Sequence, residues 1–445
     1  MVMNSHLGRW AVAFCGVCAV AFSSLADDGS VRKPTFMKDI LPILQENCQE
    51  CHRASGANFS GMVAPMALTS YQEVRPWAKS MVKEVTARRM PPWFASSEFN
   101  GVFELERHLT DDQIKTITRW VDTGTPRGNP TDAPTPREFA STGGWTYGEP
   151  DLVLPLPEPV WVGDDVDDWQ PRFTRVLTEE ELPEDKWVHW IEFRPGSNIV
   201  HHGGARVTPL DENGEAVVDP LCGGKLIGTA QGDGPDYWPE GYGKLVRKGS
   251  QISFGIHYNK EPGPGTGVWD QSMVAIKWHD RPVKYVVRSA GVSSRGWEIP
   301  PQHNNWRVGA ARTFDDDSVI INMMPHMHWR GNAAKYDLVY PDGNRETILD
   351  VPNYNFAWQQ TYTFKDPKFV PAGSRLEVSM WFDNSEENIW VPDPDRPVGF
   401  GGMTKDEMNI GWTEWANADP IDDIMNHDFG DVGTGVEDLD ALEED

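Results

Sequence analysis

The sequence predicts a multidomain chain, a small α-helical unit followed by two all-β sandwich domains, and three observations carry that prediction. A length of 445 residues exceeds one ordinary domain. The 41 Gly, 35 Pro and 20 Trp fit many short strands joined by turns better than long helices. Helical periodicity with capping signals precedes residue 125, whereas strand-like alternation and turn signals dominate up to about Trp415. Charge narrows the function. Asp and Glu number 67 against 40 Lys and Arg, a formal charge of -27, which repels nucleic acid and anionic membrane surfaces before contact. Nucleic acid is not an expected partner.

At the start, Arg9 precedes an apolar run from Trp10 to Phe22, followed by Ser24-Leu25-Ala26 and then Asp27. The run is short for a bilayer span, and the small residues fit a signal-peptidase site, so residues 1–26 read as a cleaved secretory signal. The mature chain is expected to be periplasmic, with no membrane span. Cys15 and Cys18 fall in that segment, which leaves Cys48, Cys51 and Cys222. That is too few for a disulfide scaffold, and Cys222 is expected to be a buried thiol.

Cys48-Gln49-Glu50-Cys51-His52 is the C-x-x-C-H pattern of c-type haem attachment, in which both thiols bond the porphyrin and the His reaches the iron. A zinc half-site would need a second Cys or His pair nearby, and a redox dithiol would need a βαβ context; neither is present. The surrounding residues 32–125 resemble a small helical cytochrome c. Ile40, Ile43 and Leu44 make an apolar face behind Pro42. A helix is predicted from about Pro76 to Ala87 with Trp77, Met81 and Val85 on one face. Another opens at the capping box Thr110-Asp111-Asp112-Gln113, with Ile114, Ile117, Trp120 and Val121 as its buried stripe. Candidates for the sixth iron ligand are Met62, Met66, Met81 and Met90. Met90 is preferred because Pro91-Pro92 stiffens its loop, and Met81 is expected in the core.

Residues 126–148 are rich in Pro, Thr, Gly and Ser and read as a linker. Beyond it, Gly249–Asn259 aligns without gaps on Gly373–Asp383, an offset of 124 residues that also lays His201-His202 over Pro325-His326. A duplicated β domain is predicted, over 149–292 and 293–417. In the first copy, strand pleating puts Ile252, Phe254 and Ile256 on one face and Ser253, Gly255 and His257 on the other. Residues 418–445 hold 11 Asp or Glu and no Lys or Arg, the composition of a solvated tail.

Histidines supply the chemistry. His326 and His328 are two apart and can converge from a strand, whereas the adjacent His201 and His202 need a bulge to share one ion. His201-His202, His257, Pro325-His326-Met327-His328 and Asp406-Glu407-Met408 resemble, in order and spacing, the copper type II ascorbate-dependent monooxygenases. That superfamily includes the peptidylglycine α-hydroxylating and dopamine β-hydroxylating enzymes; the haem fusion looks like a bacterial branch.

The resemblance covers about residues 150–417 and implies two jelly-roll sandwiches, each carrying one copper on the face toward the other. It places an electron-transfer copper on His201, His202 and His257, and the oxygen-binding copper on His326, His328 and Met408, with Met403 the weaker alternative to Met408. The cofactors implied are two copper ions and one covalent haem. The expected reaction is hydroxylation of a C–H bond of a small, apolar organic substrate by O2, with electrons delivered through the haem from an external cytochrome, a quinone-linked reductase or an ascorbate-like reductant. Three positions depart from the family: Met324 replaces a substrate-binding Arg, Trp412 a Tyr, and Gly255 a Gln. They point to an apolar pocket and away from a glycine-extended peptide. The rival reading is a non-enzymatic copper and haem electron carrier or copper-handling protein. A weaker one is a cytochrome fused to a carbohydrate-binding sandwich.

Overall fold

A computed structural model describes residues 32–53, 64–139, 144–230, 233–427 and 436–438. The expected signal segment and Met62 lie outside these residues. Helices longer than a single tight turn fall between residues 36 and 122. Phe36–Ile40 runs into Leu41–Asn47, where Pro42 sits in the first turn and needs no N–H partner. Ile40, Ile43 and Leu44 are buried as the apolar spacing requires. Asp111–Asp122 begins with both bonds of the predicted capping box: Gln113 N–H donates to the Thr110 hydroxyl, and Thr110 N–H donates to the Gln113 side chain. Thr110→Ala is expected to remove about 1 kcal/mol, read as roughly fivefold faster amide exchange along this helix. Ala78–Thr86 buries Met81 and Val85, but Trp77 stays 41% exposed. It ends the tight turn Arg75–Trp77, whose three-residue period takes it off the helix face.

Three predicted boundaries change, the first because Arg288–Val292, expected at the end of the 149–292 domain, pairs with Ile410–Asn417 of the next. The expected linker is a strap against the helices over its described part: Phe36 and Met37 donate to the carbonyls of Pro126 and Arg127, and Arg137 reaches the Gln45 carbonyl and the Glu50 carboxylate. The expected 32–125 unit also gives up a segment. Trp93, Phe94, Phe99 and Val102 pack with the fully buried Phe103 on the core of the second β domain. Their apolar side chains find a dry partner there that the small helical core does not offer.

Each β domain has two main antiparallel sheets. In the first, one sheet runs Leu152–Pro155, Met273–Trp278, Lys186–Arg194, Tyr242–Val246, and the other runs Asp168–Trp169, Gln251–Asn259, Val200–Thr208, Gly224–Ala230, with Arg172–Val176 also on Gln251–Asn259. Ile252, Phe254 and Ile256 fill the core between them, as the pleat predicted. In the second, Arg288–Val292, Ile410–Asn417, Ser318–His326 and Tyr362–Val370 form one sheet. Arg345–Val351, Gly331–Val339, Arg375–Phe382, Trp306–Thr313 and Val436–Asp438 form the other.

The offset of 124 residues does not superpose these domains at its two landmarks. Gln251–Asn259 pairs with Val200–Thr208, but Arg375–Phe382 and Ser318–His326 lie in different sheets. Both are apolar-alternating strands, so the sequence match reflects shared pleat chemistry. The expected solvated tail is partly structured: Ile421 and Ile424 are buried against the first core, and Val436–Asp438 pairs with Trp306–Thr313. Among the described residues no helix is long and apolar enough to cross a membrane.

Candidate metal centre and its cleft

Strand register builds the first group of imidazoles. Gln251–Asn259 and Val200–Thr208 pair with His257 opposite His202, and the next pair is Tyr258 with Val200, so His201 is the unpaired residue of a β-bulge. This is the irregularity that lets adjacent histidines turn toward one point. One ligand atom from each of His201, His202 and His257 falls within 4.8 Å of the others.

The second pair arises at a strand end. His326 closes the Ser318–His326 strand opposite Ile410, and His328, just beyond the strand, is held by the Glu407 carboxylate and the Asp406 carbonyl, in the segment that carries Met408. The His326 and His328 rings are 5.3 Å apart between centroids. The two groups do not stand across open space: the His202 ring is 5.6 Å from that of His326. Five imidazoles form one continuous cluster where the two sandwiches meet. Met408 borders the same cleft as His202, His257 and His326, whereas Met403 is 37% exposed.

The imidazoles are held as neutral ligands would be. His257 Nε2–H donates to Asp168 over 2.8 Å, with the Thr404 hydroxyl 3.2 Å away, which leaves Nδ1 facing His202 Nε2 at 3.0 Å. His326 Nδ1–H donates to Gln359 Oε1 at 2.8 Å, and His328 Nδ1–H to the Asp406 carbonyl at 3.1 Å. Each bond fixes a tautomer and frees the other nitrogen, the usual support of a metal-binding histidine. His201 Nδ1 is buried with no hydrogen-bond partner, an orphan that an ion would satisfy.

Burial and then the neighbouring imidazoles depress His201 to about 3 and hold His202 well below its ordinary range. Burial depresses His326 to about 3 and His328 to about 4. All four are therefore unprotonated at neutral pH, with lone pairs available. Asp168, despite burial, is held near 2 by the bonds from His257 and Thr404.

Sequence reasoning missed the residues that position the ligands: Asp168, Gln359, Tyr354 and Glu407. Burial pushes Glu407 up to about 8, and its carboxyl oxygens accept the backbone N–H groups of His328 and Arg330. Tyr354 accepts from Met327 N–H and donates to the Met327 carbonyl. These partners are far away in sequence and follow no spacing rule, so only the Asp-Glu-Met context around Glu407 gave any signal.

The cleft measures about 440 Å³. Met324, Trp412 and Gly255, the three positions that depart from the family pattern, all line it. Ile410 and Phe400 add apolar wall, but Arg172, Arg206, Lys225 and Arg295 also border it. The expectation of an apolar pocket is therefore corrected: Arg172, Arg206 and Lys225 come from three strands and Arg295 from the loop after Arg288–Val292, and their chain neighbours gave no hint of a common cleft.

In the helical region Cys48 and Cys51 are unpaired thiols, and burial pushes Cys48 up to about 12. His52 Nδ1–H donates to the Met66 carbonyl at 3.1 Å, leaving Nε2 free. Met81 is in the core, and Met90 is half-buried where the chain leaves the helices. Cys222 is buried, as expected.

No family model and no curated protein matches this chain. Solved structures give remote likenesses. The infectious bursal disease virus VP2 subviral particle is 12% identical over 62% of this chain and 82% of that one, with a TM-score of 0.17. The CBM22-1-CBM22-2 tandem domain of Paenibacillus barcinonensis Xyn10C is 10% identical over 61% and 94%, with a TM-score of 0.15. A Bacillus subtilis oxalate decarboxylase is 12% identical over 59% and 76%, with a TM-score of 0.14. Likenesses at this level carry no functional argument.

Proposed function

We propose that this protein is an exported copper-dependent monooxygenase that hydroxylates a C–H bond of a small organic substrate with O2, its electrons arriving through a c-type haem on Cys48, Cys51 and His52. The observation that carries the reading is the cluster of five imidazoles, three of them (His257, His326 and His328) oriented by hydrogen bonds, beside a cleft bordered by Met408. The donors fit copper. Three imidazoles suit either oxidation state, and two imidazoles with a thioether are softer and favour Cu(I). His201, His202 and His257 would hold one ion, and His326, His328 and Met408 the other, in domains that we read as jelly rolls. Copper in these positions supplies one-electron redox chemistry and oxygen activation.

The haem motif fits its group as well, since His52 presents a free Nε2. The chain also ties the two regions together. Gln360 Nε2–H donates to the Pro92 carbonyl at 2.8 Å, two residues beyond Met90, and the adjacent Gln359 accepts from His326. Pro92, two residues after Met90, is thereby tied to the residue next to the hydrogen-bond partner of His326.

The cleft favours an enzyme over a copper and haem carrier, which shares the ligands but needs no 440 Å³ of space beside them. Oxygen uptake by copper-loaded protein with reduced haem is expected to fall at least tenfold in His328→Ala and Met408→Ala. Uptake unchanged in both variants would reject the monooxygenase.

A further inference from the structure

One sheet face of the first sandwich is laid out in rows across its strands. The first row carries His257 and His202 side by side. Two residues along each strand, Arg172, Gly255, Gly204 and Gly228 lie in line. Two further on, Ser253, Arg206 and Lys225 follow. The face therefore has imidazoles at one end, a glycine floor in the middle and cations at the other end. His202 and Arg206, four residues apart on one strand, are separated by about 13 Å of backbone. Opposite stand Met324, Ile410 and Trp412 of the second sandwich, with the Lys225 ammonium 5.3 Å from the Trp412 ring centroid.

The floor is open. A Cβ built on Gly255 meets nothing within 4 Å. At Gly228 it would come within 2.8 Å of Lys225 Cε, so the lysine side chain lies along the floor.

The charge pattern is unusual for this chain. Acidic residues outnumber basic ones by 67 to 40, yet no Asp or Glu lines the cleft. Among the described residues Arg172, Arg206, Lys225 and Arg295 make no ion pair with a carboxylate. Arg206 is lowered from its ordinary range by burial and by the charge of Arg172. Arg172 and Arg206 are both solvent-exposed, and two neighbouring guanidinium charges with no carboxylate partner are an arrangement that a bound anion would relieve. Lys225 is near the buried carboxyl groups of Glu414, Asp236 and Asp233, but it makes no ion pair with them, and Glu414 is already paired with Lys244.

We propose that the cleft binds a small organic anion, a carboxylate on an apolar body, with the charge on Arg206, Lys225 and Arg172 and the far end of the body over Gly255 and Gly204 toward His202, His257 and His326. Arg295, 5.0 Å from the Phe400 ring centroid, flanks the apolar wall. The binding site stands on the geometry alone; the orientation, which presents a C–H bond remote from the charge, rests on the monooxygenase reading.

The test is calorimetric titration of metal-free, full-length protein with 4-phenylbutyrate, its neutral counterpart 4-phenylbutanol, and inorganic phosphate. The carboxylate is expected to bind about tenfold more tightly than the alcohol, and to weaken about tenfold in Arg206→Ala and further in Arg206→Ala/Lys225→Ala. Alcohol binding should be unchanged in those variants. Gly255→Leu, which fills open space without displacing backbone, should abolish binding of both organic probes. Equal affinity for alcohol and carboxylate, phosphate binding as tight as the carboxylate, or carboxylate binding unchanged in the double variant would each overturn the proposal. Since no metal is present in the titration, its failure leaves the monooxygenase reading standing, whereas failure to bind copper overturns that reading alone.

Discussion

Glu414→Ala is expected to destabilise the protein by about 3–5 kcal/mol, the usual cost of leaving a buried charge without its partner. Glu414 is 1% exposed and accepts four hydrogen bonds: from Lys244 and Ser289 on one oxygen, and from Asn322 and Trp238 on the other. Lys244 is equally enclosed, and its ammonium also donates to the carbonyls of Lys225 and Leu226. Burial works to keep Glu414 neutral, but the Lys244 charge holds it ionised. Trp238 and Lys244 belong to the first sandwich, and Ser289, Asn322 and Glu414 to the second, so the network clamps the walls of the cleft together. Ala at 414 would strand the ammonium in a site closed to water. Lys244→Met/Glu414→Leu removes both charges and should recover more than half of the loss. Recovery should stay incomplete, because Asn322 and Trp238 still lack an acceptor. Urea unfolding followed by Trp fluorescence gives the comparison. A loss under about 1 kcal/mol in Glu414→Ala would show that the clamp is wet.

Helices were legible where their ends carry local chemistry. Thr110 and Gln113 announce a helix start because the bonds they make are to backbone three residues away. The apolar face of Gln251–Asn259 was equally readable, since pleating alone decides which side of a strand is buried. The Trp93–Phe103 segment was not readable. Its aromatic residues are buried by strands some 260 residues further along, through contacts such as Phe103 with Phe364, and no local pattern encodes that partner. The repeat misled for the opposite reason: a strand facing a core looks much the same in whichever sheet it lies.

The site divides in the same way. Metal-binding atoms must come from a few side-chain types, so His201, His202, His257, His326 and His328 could be picked out by type and order, and the fold gathers their rings. The requirement for a bulge at His201-His202 followed from pleat geometry and is met. The abutment of the two groups was not legible, since it depends on how closely two sandwiches pack. Nor were the four cations of the cleft: Arg172, Arg206 and Lys225 are neighbours only through strand register, and Arg295 arrives on a loop of the second domain.

His202→Ala should have the widest effect of any ligand substitution, because His202 alone touches both groups. Its Nε2 lies 3.0 Å from His257 Nδ1, and its ring meets that of His326 edge to face at 5.6 Å. Asp168→Asn, which removes only the oriented partner of His257, is expected to weaken copper binding about 10- to 100-fold. His202→Ala deletes a donor as well as the wedge between His257 and His326, so the loss at the first site should exceed that range and the second site should weaken too. His201→Ala serves as the contrast: its ring stacks on Phe356 at 4.4 Å and borders His202 and His257. That substitution should empty the first site and spare the second. Copper titration of the purified variants, read by metal analysis and by the Cu(II) resonance of each site, separates the outcomes. Equal effects of His201→Ala and His202→Ala on the second site would mean that the five imidazoles, although contiguous, bind their ions independently.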